Sequence, residues 1–515
     1  MPPAAALARQ LCRADHEGAR VSRPDARTLI ETVLDPGSWK SWDAPPADPA
    51  EPGSSYADEL AAARAKCGYD EAVITGEGLL DGCRVAVVAS EFSFMAGSIG
   101  VAAAERITAA VERAGRERLP LLAAPASGGT RMQEGAQAFV QMVKITAAIQ
   151  GHRALGLPYM VYLRHPTTGG VLASWGSLAH VTAAEPGALI GFMGPRVFEA
   201  LHGYPFPEGV QVAENLFQKG LLDAVVSADA LRPVAIRALG VLAADRSAVE
   251  AGEPPEEDLR PAEAWEAITR SRRDDRPGVR SLLKLAATDT TPLSGTGTGD
   301  NEPGLLLALA RFGSAPAVVL GQDRRIQRVS APLGPAALRV ARRGVRLAGE
   351  LGLPLVTVVD TGGADLSKAA EEGGLAAEIA RCLAELVMLD APTVCLLLGE
   401  GAGGAALALL PADRVLCAQH AWLSPLPPEG ASAILYRSVD FAPEIARLQR
   451  IRATDLRRDG IVDRVIPEVP DAAYEPRAFC ERVGRALEHE IAGLLRQDPA
   501  DRLAARLARY RTLGT

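Results

Sequence analysis

The chain repeats a pattern of glycine turns at a fixed interval. A Ser-Gly-Gly turn at residues 127–129 and a Thr-Gly-Gly turn at residues 361–363 lie 234 positions apart. The same interval relates Pro120 to Pro354, Pro158 to Pro392, and the glycine pair 169–170 to the pair 403–404. In both copies a short apolar run precedes each glycine pair, and a long helical pattern separates the two pairs. The sequence therefore predicts one fold that is encoded twice.

The glycine pairs are also the strongest candidates for a functional site. A strand that ends in Gly-Gly before a helix aims free backbone N–H groups at a common point. One such pair is weak evidence, because most are only turns, but four pairs at matched intervals are harder to dismiss. Two turns in each copy would form an oxyanion hole, so the duplication suggests two holes that face two reacting carbonyl groups.

Size and charge limit the possible classes of protein. A chain of 515 residues with 48% hydrophobic residues fits two packed domains of roughly 200 to 250 residues each. Aromatic residues make up only 4% of the chain, and the formal net charge is −8. Both values argue against a general nucleic-acid binder, so we interpret the local arginine clusters first as solvated helix faces.

The cysteines and the apolar segments indicate a cytoplasmic protein. The seven cysteines are scattered and include no C-x-x-C pair, so we expect reduced, mostly buried thiols. Residues 1–20 lack the apolar core of a secretory signal. The longest apolar candidate, residues 391–410, is interrupted by Glu400 and four glycines. We therefore expect neither secretion nor membrane binding.

The fold class is predicted as α/β. Strand patterns alternate with helices of ten or more residues, which favours parallel βαβ units. We divide the chain into a polar, loosely held N-terminal arm without a zinc ribbon (1–70, with a helical pattern near 26–34), a first domain (71–245), an acidic, proline-containing linker (246–262), a second domain (263–470) and a helical tail (471–515).

One helical stripe follows the first turn. The stripe, which we expect to form core, consists of Phe139, Met142, Val143, Thr146 and Ile149.

Side chains with obvious chemistry are scarce. No histidine has metal-ligand spacing with a cysteine or another histidine, and we interpret His165 as a satisfied loop histidine. Glu134 and Glu400 flank glycine turns, where a hydratase would need an acid and a base. Because they fall in different copies, we favour helix-start or hydrogen-bonding roles for them. The nucleophile elbow, the P-loop and the dinucleotide fingerprint are missing from the sequence.

At these motifs the chain resembles the carboxyltransferase component of acetyl-CoA carboxylase, with a beta-subunit sequence followed by an alpha-subunit sequence in one polypeptide. The beta-like part covers about residues 26–226 and the alpha-like part about residues 262–467. The motifs that carry the resemblance are residues 91–98, 127–134, 166–171, 190–197 and 218–223 in the first part, and 360–364, 371–372, 399–405, 428–434 and 460–463 in the second.

The resemblance implies two tandem crotonase-type ββα-superhelix domains and a mechanism without a protein base. In this family carboxybiotin on a separate carrier protein releases CO2 beside an acyl-CoA, the biotin nitrogen takes the α-proton, and the enolate captures CO2. The implied donors to the thioester enolate oxygen are Gly128, Gly129, Gly169 and Gly170. The implied donors to the biotin ureido oxygen are Gly362, Gly363, Gly403, Gly404 and Ala405. Four further residues in the matching motifs are expected to contact the acyl-CoA: Phe94, Met95, Arg131 and Arg196.

The resemblance also implies the partners. The substrate is expected to be acetyl-CoA, which gives malonyl-CoA, or a related acyl-CoA such as propionyl-CoA. The chain contains no Met-Lys-Met biotinylation site and no ATP-grasp pattern, so the biotin carboxyl carrier protein and the biotin carboxylase must be other chains. Homo-oligomers are usual in the family, so we expect at least a dimer.

Three departures from the family pattern leave alternatives open. Residues 1–25 contain only Cys12, so we predict no zinc, and the lysine-rich stretch of the alpha subunit is replaced by the arginine-based segment 322–328. Thr130 stands where alanine is usual, and Gly363 where the alpha pattern has proline. A decarboxylase of malonyl-type thioesters and a non-catalytic acyl-CoA-binding subunit therefore remain as alternatives to the carboxyltransferase.

Overall fold

The computed structural model of the protein describes residues 23–47, 49–259, 262–330 and 332–513. The expectations on residues 1–22, the missing zinc ribbon among them, lie outside the described residues.

Each half is built around a seven-stranded sheet. The first half contains β1 (Lys40–Ser41), β2 (Val73–Leu80), β3 (Cys83–Ser90), β4 (Leu121–Ala124), β5 (Tyr159–Leu163), β6 (Thr167–Thr168), β7 (Val181–Ala184), β8 (Ile190–Gly191) and β9 (Ala224–Val225). The second half contains β10 (Thr288–Leu293), β11 (Leu305–Phe312), β12 (Ala315–Gln322), β13 (Leu355–Thr361), β14 (Thr393–Gly401), β15 (Arg414–Ala418) and β16 (Arg464–Ile466).

The helices of the first half are α1 (Ala26–Val33), α2 (Ser55–Cys67), α3 (Val101–Arg116), α4 (Gly135–Ala154), α5 (Pro195–His202), α6 (Ala213–Gln218) and α7 (Ala228–Leu242). Those that follow are α8 (Ala264–Ser271), α9 (Val279–Ala286), α10 (Arg324–Val329), α11 (Pro335–Leu351), α12 (Lys368–Glu372), α13 (Leu375–Val387), α14 (Gly403–Leu407), α15 (Pro428–Tyr436), α16 (Ala442–Leu448), α17 (Ala453–Arg458), α18 (Pro476–Leu495) and α19 (Pro499–Thr512). No helix of the described part of the chain is long and apolar enough to cross a membrane.

The two sheets have the same topology, which confirms the duplication. The first has the order β1-β2-β3-β4-β5-β7-β9 and the second has the order β10-β11-β12-β13-β14-β15-β16. In each sheet the first three strands are antiparallel and the later ones are parallel. Even single hydrogen bonds repeat, because the N–H of Leu121 donates to Pro158 O at 2.9 Å and the N–H of Leu355 donates to Pro392 O at 2.8 Å.

A single apolar core joins the halves. Helices α1 and α7 cover one face of the first sheet, and α7 also packs against β10 and β11 of the second half. The described cysteines are free, and Cys382, Cys395, Cys417 and Cys480 are buried, as expected for reduced thiols. Burial raises the pKa of the Cys395 thiol to about 12, which keeps it protonated and unreactive.

The described part of the N-terminal arm is not loosely held, and that prediction was wrong. Helix α1 buries Ala26, Leu29, Ile30 and Val33 in the core. These residues have the i, i+3, i+4, i+7 spacing of a helix face that packs on a sheet. The helical pattern predicted near residues 26–34 is confirmed, but the prolines and acidic residues around it concealed that the helix packs on the core.

The core stripe of α4 was also predicted partly wrongly. The buried apolar residues are Ala138, Met142, Ile145 and Ile149. Phe139 is 67% exposed and Val143 is 72% exposed. The helix carries two neighbouring apolar stripes, and only one of them faces the core that α3 shares.

The C-terminal tail packs on the second half of its own chain. The buried guanidinium of Arg506 in α19 binds both carboxylate oxygens of Asp413 at 2.8 Å and also donates to Leu389 O at 2.8 Å. The interaction ties the last helix to the loop before β15.

Candidate active site

The first glycine turn of each half has the same internal geometry. The N–H of Gly129 donates to Ser127 Oγ at 3.0 Å, and the N–H of Gly363 donates to Thr361 Oγ1 at 3.2 Å. Both glycines have positive φ values, 110° and 136°, which side-chain-bearing residues rarely adopt. The Ser and Thr hydroxyls therefore fold two equivalent turns at the ends of β4 and β13.

The two turns of the first half lie in contact. A Cβ atom on Gly129 would be 3.6 Å from Gly169 Cα and 3.8 Å from Gly170 N. The second half repeats this pairing in its sheet register, where Thr361 lies opposite Gly401, two residues before the second turn. Each half thus brings its two predicted turns together at the carboxyl edge of its sheet.

Several of the predicted N–H donors already have acceptors inside the chain, which corrects the predicted site. The N–H of Gly128 donates to Ala96 O at 2.9 Å, that of Gly169 donates to Phe192 O at 2.9 Å, and that of Gly403 donates to Ser424 O at 3.0 Å. Gly129 and Gly363 donate to the turn hydroxyls as described above. These five N–H groups hold the turns closed, so they do not point freely at a ligand.

Four predicted donors remain: Gly170, Gly362, Gly404 and Ala405. Their N–H groups have no hydrogen-bond acceptor among the described residues. Gly404 and Ala405 lie in the first turn of α14, and Gly170 holds the position equivalent to Gly404 in the first half. Free N–H groups in a first helical turn favour an anionic oxygen.

The structure adds donors that the sequence analysis missed. Val171 is equivalent to Ala405, and its N–H likewise has no acceptor in the described part of the chain. The same holds for Thr130 and its equivalent Ala364, which follow the first turns. The interval of 234 residues would have identified Val171 from Ala405.

Arg131 is buried and paired inside the first half, and its predicted contact with the acyl-CoA remains a prediction. Its side chain is 1% exposed and forms a two-fold ion pair with the carboxylate of Glu71, which is itself fully buried. Phe94 is also fully buried and lies under the Arg131 guanidinium, at 5.5 Å from ring centroid to Cζ. The two residues form an internal support behind the first turn.

Met95 and Arg196 lie in more open places. Met95 and Ala96 have positive φ values of 46° and 55°, a strained conformation for residues with side chains. This strained turn presents Ala96 O to Gly128. Arg196 is exposed in the first turn of α5 and has no partner among the described residues. Its proposed contact with an acyl-CoA therefore remains a prediction.

Glu134, Glu400 and His165 have the structural, hydrogen-bonding roles that the sequence analysis favoured. Glu134 accepts the Val101 N–H at 2.6 Å at the start of α3 and also a hydrogen bond from Tyr56. Glu400 pairs with Arg272 at 2.7 Å. His165 Nδ1 accepts the N–H of Leu189 at 3.1 Å. None of the three is a free acid or base in this geometry.

A buried carboxyl group directly precedes the first glycine turn of the second half. Asp360 is 1% exposed, and its Oδ1 accepts the Glu400 N–H at 3.1 Å. Burial raises the pKa of Asp360, against the opposing effect of Arg324 and Arg276. Within the described residues, no group of three potential metal ligands was found here or elsewhere.

Fold and site together define the class. Two α/β units with the same strand order, each with a glycine turn at the carboxyl edge of its sheet, form a crotonase-like fold. Transcarboxylase 12S, in the structure with methylmalonyl-CoA and methylmalonic acid bound, is similar with a TM-score of 0.71 at 22% identity, over 94% of both chains. A single-chain, multi-domain long-chain acyl-CoA carboxylase is similar with a TM-score of 0.69 at 18% identity, over 90% of this chain and 46% of that chain. The predicted fold class is thereby confirmed.

The sequence comparisons establish the family. The carboxyl transferase domain model matches residues 26–502. A probable biotin-dependent acyl-coenzyme A carboxylase beta3 subunit of Mycobacterium bovis is 60% identical over 500 residues, which cover 96% of this chain and 99% of that protein. The acetyl-coenzyme A carboxylase carboxyl transferase subunits beta/alpha of Salinispora tropica are 38% identical over 515 residues, covering 96% and 91%. The chain belongs to the carboxyl transferase domain family.

Proposed function

We propose that this protein is the carboxyltransferase component of an acyl-CoA carboxylase. It moves CO2 from carboxybiotin, held on a separate carrier protein, to the α-carbon of acetyl-CoA or a related acyl-CoA. The observation that carries the proposal is the pair of equivalent donor sets, Gly170 with Val171 and Gly404 with Ala405. Two oxygens gain negative charge in this reaction, and the two halves offer one donor set for each.

The donors divide the work between the halves. In the first half, the N–H groups of Gly170 and Val171 bind the thioester oxygen as the enolate forms. In the second half, the N–H groups of Gly404 and Ala405 bind the ureido oxygen of biotin. Carboxybiotin supplies both the CO2 and, through its ureido nitrogen, the base for the α-proton. The loss of one such donor typically costs ~3 kcal/mol of transition-state stabilisation.

A second copy of the chain is part of the proposal. The halves of one chain meet at the C-terminal ends of α4 and α11, where Arg153 Nη2 lies 2.5 Å from Glu350 Oε2. The first glycine turns, at residues 127–129 and 361–363, lie near the N-terminal ends of these helices. We expect a partner chain to bring a substrate-side turn to a biotin-side turn. The carrier and the biotin carboxylase are also separate chains.

The test is a transfer assay with purified protein. We expect it to carboxylate acetyl-CoA or propionyl-CoA when carboxybiotinylated carrier is supplied. Loss of CO2 from malonyl-CoA without carrier would replace the proposal by a decarboxylase. If the protein carboxylated no acyl-CoA and showed no activity in the reverse direction either, a non-catalytic subunit would be favoured.

A further inference from the structure

A cavity of about 430 Å³ lies between the first half and α11 of the second half. One part of its wall is apolar, with Leu163, Leu172, Ile190 and Leu222 among the lining residues. The part toward α11 is charged, with Arg153, Arg343, Arg346 and Glu350. The cavity therefore has an apolar end and a polar end.

The apolar end adjoins the donors of the first half. Leu172 lies two residues after Gly170, and Gly191 and Phe192 line the cavity while their carbonyl groups accept the N–H of Gly169 at 3.3 and 2.9 Å. Through Gly191 and Phe192 the cavity therefore approaches the turn that contains Gly170. The acyl chain leaves the thioester carbon from the same place.

Two of the three arginines at the polar end are paired with carboxylates of the cavity wall, whereas Arg346 lies 3.9 Å from Glu385 outside the cavity. Arg343 binds Asp223 at 2.8 Å, and Arg153 binds Glu350 at 2.5 Å. Because both guanidinium groups have carboxylate partners, an anionic head group would have to displace them. An alkyl chain that ends among the leucines would leave these pairs intact.

The second half has a cavity at the equivalent place, of about 470 Å³. The interval of 234 residues relates Arg153 to Val387, Gly176 to Leu410 and Ser177 to Pro411. Tyr510 and Leu513 of the C-terminal region line that cavity, as α11 lines the first one. A cavity at this place is thus a property of the duplicated fold, and the copy in the first half is the one that approaches the proposed acyl-CoA donors through Gly191 and Phe192.

We infer that the first-half cavity holds the acyl chain of the substrate, and that the substrate class is acyl-CoA with chains longer than propionyl. The inference rests on the proposed function and deepens it by naming the substrate class. The apolar wall gains free energy with each buried methylene, whereas acetyl-CoA leaves the cavity without an apolar occupant.

The first experiment measures binding and turnover along a series of CoA, acetyl-CoA, butyryl-CoA, hexanoyl-CoA and decanoyl-CoA. We expect the dissociation constant from calorimetry to fall by up to about fourfold per methylene, equivalent to ~0.8 kcal/mol, until the cavity is filled. The kcat/KM for carboxylation should rise in parallel. Affinity and kcat/KM that stay level or fall with chain length would overturn the inference.

Two variants fill the cavity from different walls. Ala179→Phe adds bulk in the loop before β7, and Leu216→Phe adds bulk from α6; both residues line the cavity and neither is a proposed donor. We expect each to reduce kcat/KM for decanoyl-CoA at least tenfold and to leave acetyl-CoA within twofold. Ala504→Phe, on an exposed position of α19, is the matched control and should change neither.

The outcomes separate the inference from the proposed function. If no acyl-CoA is carboxylated, the proposed function fails, and calorimetry still tests the cavity through its dependence on chain length. If acetyl-CoA is carboxylated but chain length has no effect on binding, the proposed function stands and the cavity assignment fails. If both folded variants lost kcat/KM equally for all chain lengths, the assignment of the cavity to the acyl chain would likewise be rejected.

Discussion

Asp223 and Arg343 form a two-fold ion pair that joins the halves, with Oδ1–Nη1 and Oδ2–Nη2 distances of 2.8 Å. Asp223 precedes β9 in the first half, and Arg343 lies in α11 of the second half. The same carboxylate accepts the N–H of Thr182 at 2.8 Å and that of Ser294 at 3.0 Å. Its oxygens are therefore fully used, and the pair fixes the angle at which the halves meet.

Removing one member of this pair should destabilise the protein strongly. Arg343→Ala leaves a buried carboxylate without its cation, and we expect the free energy of unfolding to fall by ~3–5 kcal/mol. Urea unfolding followed by circular dichroism measures the change. Lys368→Ala, which removes a partner of Glu372 from an exposed pair, is the control and should have little effect. Equal results for the two variants would mean that the junction does not depend on the pair.

The junction should also weaken in acid. Tyr159 donates its N–H to His180 Nδ1 at 2.9 Å, so the neutral imidazole carries its proton on Nε2 and faces Glu350 at 3.3 Å. This hydrogen bond, with help from Arg153, lowers the pKa of Glu350 from 4.5 to about 2. A carboxyl group with a lowered pKa stabilises the folded state above its unfolded pKa.

The stabilisation by Glu350 is therefore complete at neutral pH and is lost as the pH falls from about 4.5 toward about 2. We expect Glu350→Gln to melt at a lower temperature than the wild type at pH 7. The gap should close at low pH, as measured by scanning calorimetry. A gap of constant size between pH 7 and pH 3 would show that the charge of Glu350 contributes nothing.

The buried pair of Arg131 and Glu71 distinguishes a structural role from substrate binding. We expect Arg131→Ala to lower the free energy of unfolding by ~3–5 kcal/mol, because Glu71 stays buried without its cation. Arg131→Lys should lose less and remain folded, with the KM for acyl-CoA unchanged. A variant of Arg131 with a raised KM for acyl-CoA and an unchanged free energy of unfolding would show that Arg131 contributes to substrate binding.

The repeated interval made the fold predictable. Four glycine pairs and the prolines at 120, 158, 354 and 392 recur because both halves need the same turns and the same strand starts. The structure reproduces this equivalence in the strand order and in the turn hydroxyls of Ser127 and Thr361. Local sequence was sufficient here because each feature is contained within a few residues.

The errors came from contacts that are distant in sequence. Whether Gly128 has a free N–H depends on Ala96, and whether Gly169 has one depends on Phe192. Similarly, the exposure of Phe139 depends on which stripe of α4 faces the core. A sequence pattern identifies a turn or an apolar stripe, but its partner comes from another segment of the chain.

Alanine substitutions at Gly170 and Gly404 should separate the two donor sets. A Cβ atom on Gly170 would lie 3.1 Å from Met142 Cγ, and one on Gly404 would lie 2.8 Å from Ile379 Cδ1, so each added methyl group would crowd its turn beside the proposed donors. We expect each variant to lower kcat by about 10²-fold or more, the usual loss for one oxyanion donor. Gly151→Ala in α4, where nothing lies within 4 Å of the added atom, is the control and should keep full activity.

Because the sets bind different substrates, Gly170→Ala should keep the KM for the carboxybiotinylated carrier, and Gly404→Ala should keep the KM for acyl-CoA. Full activity in both folded variants would show that these N–H groups are not the oxyanion donors. The main support for the proposed carboxyltransferase function would then be lost.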